Sequence, residues 1–385
     1  MFLKGNKNKK VFVALSGGVD SSVAALLLKR RGFPSFASAK GGSAFGGKAT
    51  AGMDVYAGFI RGYNIDGCQD RDLEDARSVA QHVGIPFYVF DLEEEYKRRV
   101  VDYLLEGYRK GITPNPDVVC NSQIKFGLFY EKAREAGADY IASGHYARVK
   151  HPLFTFHSQC STRVFAGTDA DKDQSYFLWQ VPRERFERIL FPLGKLTKKQ
   201  VRTIARDAKL PTAEKKDSQG VCFLGKFRFD EFLKKHIKPK KGDIVDVTGK
   251  KVGEHDGAWF YTIGQRHGFE NTAGRSFYVV RKDVKRNALI VAYEGDAMLR
   301  QKEVSLTNLN FLDAGFERRF ARGDTLSVFA RVRYRQPLFE ATLQKSGDGK
   351  ALLVADREEK LFPASGQSAV FYSKKEQMLG GGIIV

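Results

Sequence analysis

The stretch VFVALSGGVDSSVAALLLKR at residues 11–30 restricts what this chain can become more than any other part of it. An apolar, β-branched run leads into a glycine–serine turn, and the turn passes directly into a helical repeat of Val, Ala and Leu. A strand, a tight turn and a helix in that order open a βαβ unit. The unpaired N–H groups at such a helix start bind anions, and Gly17 and Gly18 let the backbone come close to them. The hydroxyls of Ser16, Ser21 and Ser22 add donors. The turn carries no lysine of the kind that steadies a transferred γ-phosphate. Asp20, a carboxylate beside a phosphate cradle, is the natural partner for Mg2+.

Downstream the pattern keeps alternating. DVYAGFIRGY, PFYVFDL and DYIASGHYA read as strands, with helices between them at DRDLEDARSVAQHVG, at about 94–110 and at QIKFGLFYEKAREAG. Short apolar strands alternating with amphipathic helices predict an α/β fold, a doubly wound parallel sheet covered on both faces. The basic helix KLTKKQVRTIARDAKL precedes a polar loop, PTAEKKDSQGVCFLG. From about residue 242 the pattern changes to short strands separated by turn residues, as in small antiparallel barrels or sandwiches.

At 385 residues the chain is too long for one ordinary core. It divides near residues 216 and 286 into a phosphate-loop catalytic domain (1–216), a small central domain (217–285) and a C-terminal antiparallel β-barrel (286–385). Residues 33–53, rich in Gly, Ala and Ser, are long for a helix-to-strand connection. They contain GGSAFGGKAT, close to a second kind of phosphate loop. Ala49 stands where that loop needs a metal-binding Ser or Thr, and no strand precedes it, so the segment reads as a surface insert.

The formal charge of +19 predicts a polyanionic partner, with basic runs such as KKHIKPKK at 234–241 and RVRYRQ at 331–336. No apolar run approaches the roughly 18 residues of a bilayer span. No signal-peptide pattern opens the chain, so a cytoplasmic location without membrane association is expected. The cysteines, Cys68, Cys120, Cys160 and Cys222, form no C-x-x-C pair and sit at no metal-ligand spacing. That excludes a zinc knuckle and a secreted disulfide scaffold. Cys120, in ITPNPDVVCNSQIKFG, is expected just before a helix start, where free amides lower a thiol pKa, with Asp117 one turn earlier. Cys222, in EKKDSQGVCFLG, follows Lys215 and Lys216. These two read as reactive thiols that meet across a cleft, and Cys68 and Cys160 as non-catalytic.

The loop SGGVDSS at 16–22 resembles the PP-loop of the ATP pyrophosphatase superfamily, whose members cleave ATP between the α and β phosphates. With AMP transferred and pyrophosphate leaving, a cradle for the β and γ phosphates suffices. TPNPDVVCN (113–121), SGHYAR (143–148), KDQSYFL (172–178), FPLGKLTK (191–198), DSQGVCFLG (217–225) and YTIGQRHG (261–268) follow in order over nearly the whole chain. Together these motifs resemble the family of tRNA-specific 2-thiouridylases, which place sulfur on the wobble uridine of certain tRNAs.

The resemblance implies that Ala14, Leu15, Ser16, Gly17, Gly18, Val19, Asp20 and Ser21 hold ATP, and that Ile60 and Gly144 line the adenosine pocket. It implies contact with the target base by Asn115, Pro116 and Asp117, and with tRNA by His145, Lys172, Asp173, Gln174, Arg333, Tyr334 and Gln367. Cys222 would receive a persulfide from a protein donor, either a sulfur relay protein or a cysteine desulfurase. ATP would adenylate the uridine 2-oxygen, and sulfur would displace AMP. Cys120 would attack the persulfide, releasing hydrosulfide or forming a transient disulfide with Cys222, while Asp117 served as general acid or base. No oligomer is required. This chain departs from the family in having Ile60 where methionine is usual and in carrying the insert. The rival readings are another ATP pyrophosphatase, such as a lysidine synthetase or a glutamine-dependent synthetase, and a non-catalytic tRNA-binding relative. Neither uses the cysteine pair.

Overall fold

The computed structural model describes residues 9–31, 53–64, 67–151, 162–217, 229–266, 270–271, 276–359 and 361–385. The insert expected at 33–53, Met53 apart, lies outside the described residues, as do Cys160 and Cys222. The chain forms two compact units, Met1–Tyr96 with Cys120–Gly225, and Lys97–Val119 with Lys226–Val385.

In the first unit, β1 (Lys9–Ala14), β2 (Met53–Arg61), β3 (Phe87–Asp91), β4 (Tyr140–Ala142) and the short strand Ile189–Leu190 make one parallel sheet. Their order is β3, β2, β1, β4, Ile189–Leu190. Helix α1 (Val19–Arg31) follows β1, and α2 (Cys68–Val83) follows β2. Val11 and Val13 of β1 are fully buried, as a central parallel strand requires. The α1 residues Val23 to Leu28 are buried all round, sharing a core with Val201 and Ala205 of the helix Lys198–Asp207. Strand order runs one way from β1 to β3 and the other way from β1 through β4. A crevice therefore opens at the carboxyl ends of β1 and β4. SGGVDSS follows β1 and SGHYAR follows β4, so topology alone gathers the two motifs there. The doubly wound expectation holds.

The second unit has a sheet in the order Glu270–Asn271, Lys251–His255, Gly242–Asp246, Ala288–Tyr293, Phe277–Asp283. It also has the expected barrel, closed by Gln301–Phe311, Lys350–Glu359, Phe339–Gly347, Leu326–Arg331, Ser368–Tyr372 and Met378–Ile384. The division drawn near residue 286 falls inside the hairpin of Phe277–Asp283 and Ala288–Tyr293. Ala288–Tyr293 also pairs with Gly242–Asp246, so it belongs to the central sheet, and the barrel begins at Gln301. Both sides of residue 286 read as strand, so periodicity could not mark the change. Residues 97–119 join this unit through contacts such as Thr113 N–H to the Ser365 carbonyl at 2.8 Å. Among the described residues no helix is long and apolar enough to cross a membrane.

Candidate active site

The cradle is built where β1 ends. The Leu15 amide donates to the Gly58 carbonyl at 2.9 Å, and the chain then turns through Ser16, Gly17 and Gly18 into α1. Gly17 has φ 72°, and a Cβ there would also collide with the Asp72 carbonyl, so two separate reasons demand glycine. Ser21 Oγ accepts from the Ser16 amide at 3.1 Å and donates to the Gly18 carbonyl at 3.0 Å, bracing the turn. Ser16 stays exposed, with its hydroxyl 3.1 Å from that of Ser21. Ser22 corrects the sequence reading. Its hydroxyl is fully buried, donates to the Gly18 carbonyl at 2.8 Å and accepts from Thr212 at 2.9 Å, so it pins the loop to the core instead of facing a phosphate.

Beside the cradle lies a cavity of about 270 Å³. Of the residues expected around ATP, Ala14, Leu15, Ser16, Asp20, Ser21, Ile60 and Gly144 line it, while Gly17, Gly18 and Val19 form the turn behind. Cys120, 3% exposed, lines the same cavity. The helical run begins at Pro116 and passes into a wider, π-wound stretch at Cys120–Leu128. Cys120 thus sits a turn inside the helix, not before its start, and the dipole argument for its thiol weakens accordingly. π-Wound turns recur at functional sites. Sequence reasoning missed Gln69, Asp72, Tyr96 and Lys125, which also line the cavity. His145 faces it too, as a buried ring with Nδ1 2.8 Å from the Ser143 hydroxyl. Burial, and then the charge of Lys125, push its imidazole well below the usual pKa, so it is neutral.

Asp20 and Asp72 are the carboxylates of the cavity wall, and each carries a lysine. Lys198 Nζ lies 2.7 and 2.8 Å from the two Asp20 oxygens, and Tyr146 donates its hydroxyl to Asp20 at 2.8 Å. Lys215 Nζ lies 2.6 Å from Asp72 and 2.5 Å from Asp75. Lys215 was expected to favour a Cys222 thiolate, but these carboxylates neutralise it. Lys198 also reaches Asp217 at 2.8 Å, where Lys172 at 3.0 Å and Arg202 at 2.5 Å converge. Burial opposes ionisation of Asp217, yet the bonds from Lys198, Lys172 and Arg202 hold its carboxyl well below the usual range. A resident Mg2+ does not fit this donor set. Both Asp20 oxygens are taken, and among the described residues no three His, Cys, Asp or Glu side chains gather as ligands.

The triplet expected to touch tRNA at 172–174 is engaged within the first unit. Lys172 pairs with Asp217, and Gln174 accepts from the Tyr146 amide at 3.1 Å while lining the cavity. Asp173 is 3% exposed and accepts from the Gly167 and Ser175 amides and the Ser175 hydroxyl. It braces its own loop.

In the second unit, Asn115 Oδ1 accepts from the Val118 amide at 3.3 Å, starting the short helix Pro116–Val119 that carries Asp117. Gln367 Nε2 donates to the Thr113 and Pro114 carbonyls at 2.9 and 3.2 Å, so it holds the TPNPDVV loop that presents Asn115, Pro116 and Asp117. Arg333 donates to the Ile263 carbonyl and lies 5.5 Å from the Phe362 ring centre, and Arg335 covers Tyr334 at 5.3 Å. Gln367 thus supports the TPNPDVV loop, and Arg333 supports the segment at Ile263.

Family models match three successive parts of the chain: a tRNA methyl transferase HUP domain over 9–226, a tRNA methyl transferase PRC-barrel domain over 230–293 and an aminomethyltransferase beta-barrel domain over 301–384. A tRNA-specific 2-thiouridylase of Bacillus subtilis is 38% identical over 391 residues, covering 99% of this chain and 96% of its own length. Its counterpart in Bacillus licheniformis is 39% identical over 390 residues with the same coverage. One from Streptococcus pyogenes is 39% identical over 397 residues, covering 98% and 96%.

Proposed function

Because the chain belongs to the tRNA-specific 2-thiouridylase family, we propose that its first unit adenylates a wobble uridine with ATP and delivers sulfur to the activated carbon. It is an ATP-using tRNA 2-thiouridylase, a transferase. The observation that carries the residue-level reading is Cys120 in the wall of the cavity that the phosphate loop also lines. A thiol there would stand beside the α-phosphate end of a nucleotide whose β and γ phosphates rest on the Ser16–Ser21 turn. The family descriptions mention methyl transfer, but a phosphate cradle sharing a wall with a cysteine suits adenylation followed by sulfur transfer.

In this reading the uridine 2-oxygen attacks the α-phosphorus of ATP and pyrophosphate leaves. The terminal sulfur of a persulfide on Cys222 then attacks C2, and AMP departs with the oxygen. The Cys120 thiolate attacks the inner sulfur of Cys222, leaving 2-thiouridine and a Cys120–Cys222 disulfide that two electrons must later reduce. In the other order, the same attack releases hydrosulfide, which displaces AMP. Asp117 is assigned proton transfer at the base, with Asn115 and Pro116 as base contacts. His145, neutral and facing the cavity, fits a hydrogen-bonding role toward the RNA or nucleotide better than a charged one. Arg333, Tyr334 and Gln367 order the RNA-facing loops. Magnesium's place is on the nucleotide's own phosphates and water, since among the described residues no three His, Cys, Asp or Glu side chains gather to hold it. The persulfide comes from a separate protein donor, and the reaction belongs to the cytoplasm, where tRNA and reduced thiols meet.

Purified protein supplied with ATP, unmodified tRNA, a persulfide donor and a thiol reductant to reopen the disulfide should yield AMP, pyrophosphate and 2-thiouridine in equal amounts, read by nucleoside mass spectrometry. Stoichiometric ADP, or 2-thiouridine persisting in a strain that lacks the protein, would overturn the reading.

A further inference from the structure

The phosphate loop has no lysine of its own, yet the fold places one against it. Lys198 lies 178 positions after Asp20 and puts Nζ within 2.8 Å of both Asp20 oxygens, its side chain 15% exposed. Its backbone is fixed twice. Thr197 caps the helix in a capping box with Gln200, and the Lys198 amide donates to Asp169 at 2.8 Å. Only the aliphatic stem is left to move.

We propose that Lys198 is the lysine the loop lacks: held by Asp20 and Asp217 without nucleotide, it turns to the β and γ phosphates when ATP binds and stays with pyrophosphate as it leaves. This rests on the reading of the cavity as the ATP site. The surrounding groups are arranged for a lysine that departs. Asp20 keeps the Tyr146 hydroxyl, and Asp217 keeps Lys172 and Arg202, so neither carboxylate is stranded when Nζ swings away. Asp20 is 33% exposed and the Lys198 side chain 15%, so the pair is only partly desolvated and breaks at less cost than a fully buried one. A triphosphate brings several negative charges to the neighbouring turn, which favours the exchange.

The rival is a purely structural Lys198 that ties the Lys198–Asp207 helix to α1. Titration calorimetry of the parent, Lys198→Met and Lys198→Arg with ATP, pyrophosphate and AMP, alongside thermal melts, separates the two. Loss of one charge-assisted contact to phosphate should weaken ATP and pyrophosphate about tenfold in Lys198→Met. AMP should bind within about twofold of the parent, since it lacks the phosphates concerned. Lys198→Arg keeps the charge and the fold but not the point-like ammonium, and should fall between. If Lys198→Met does not fold, selective weakening of ATP and pyrophosphate over AMP in Lys198→Arg decides the matter. Unchanged ATP affinity in a folded variant, or equal weakening of AMP and ATP, would overturn the inference. A parent that binds neither ATP nor pyrophosphate would instead remove the ATP reading on which it stands.

Discussion

Gly144 offers a sharp test of how the two motifs make one site. Its backbone is not in the left-handed region, so Gly144→Ala adds only a methyl group. That methyl would lie 2.7 Å from the Ser21 amide nitrogen and 2.8 Å from the Asp20 carbonyl carbon. Both distances are about 0.7 Å inside ordinary contact. The neighbours are backbone atoms of the first turn of α1, which cannot rotate away as a side chain would. Either the β4 turn or the phosphate loop must shift by most of that shortfall. Overpacking of this kind costs about 1–3 kcal/mol of stability. A misplacement approaching an ångström at reacting groups costs about a hundredfold in rate. Gly144→Ala should therefore lower the melting temperature modestly while kcat/KM for ATP falls far more, measured by pyrophosphate release with saturating tRNA. Parent-like ATP kinetics in the folded variant would mean that the loop and the β4 turn are not one rigid cradle. Gly17→Ala should be worse still, because it adds a left-handed φ to a clash with Asp72.

Cys120→Ser and Cys222→Ser should each abolish 2-thiouridine formation, whereas Cys68→Ser and Cys160→Ser keep it; parent-rate thiolation by either of the first pair under reducing conditions would refute the two-thiol mechanism. Gln367→Ala removes both bonds to Thr113 and Pro114. At about 1 kcal/mol for each bond, about 2 kcal/mol in all, it should raise the tRNA KM roughly thirtyfold while ATP affinity holds, so equal losses in both would sink the assignment. Burial lowers the Lys282 ammonium to about 8, with Nζ donating to the Tyr261 carbonyl at 2.8 Å. The unfolded chain, with an ordinary lysine near 10.4, then binds more protons between about pH 8 and 10. Lys282's contribution to stability therefore rises with pH across that window. Lys282→Met should flatten this rise in melting temperature relative to the parent, and parallel curves would contradict it. Binding of tRNA to a chain of charge +19 should weaken steeply with salt, as titration at several ionic strengths would show.

What could be read from the sequence was what depends on neighbours along the chain. The β1–turn–α1 unit follows from an apolar run, two glycines and a helical repeat, all within 20 residues, and it appears as expected. The crevice follows as well, since strand alternation implies a parallel sheet and a parallel sheet gathers its loops at the carboxyl ends. What escaped depends on partners distant in sequence. Nothing local separates Ser22 from Ser21; only Thr212, 190 positions away, turns one inward and leaves the other at the cavity. Nothing around Asp173 shows that its carboxylate will be consumed by Gly167 and Ser175.

Lys198 is the instructive case, because a usable signal did exist. Thr197 and Gln200 spell a capping box, which fixes where the helix starts and so places Lys198 at its first residue. A lysine is misplaced there on electrostatic grounds, since the positive end of the helix dipole favours acidic residues. A cation held against that preference needs a compensating anion, and the structure supplies Asp20 and Asp217 at its ammonium, with Asp169 on its backbone amide. The same reasoning, applied to FPLGKLTK from sequence alone, would have asked which anion awaited that lysine. In a chain whose phosphate loop lacks one, the β and γ phosphates of its own substrate are the strongest candidate.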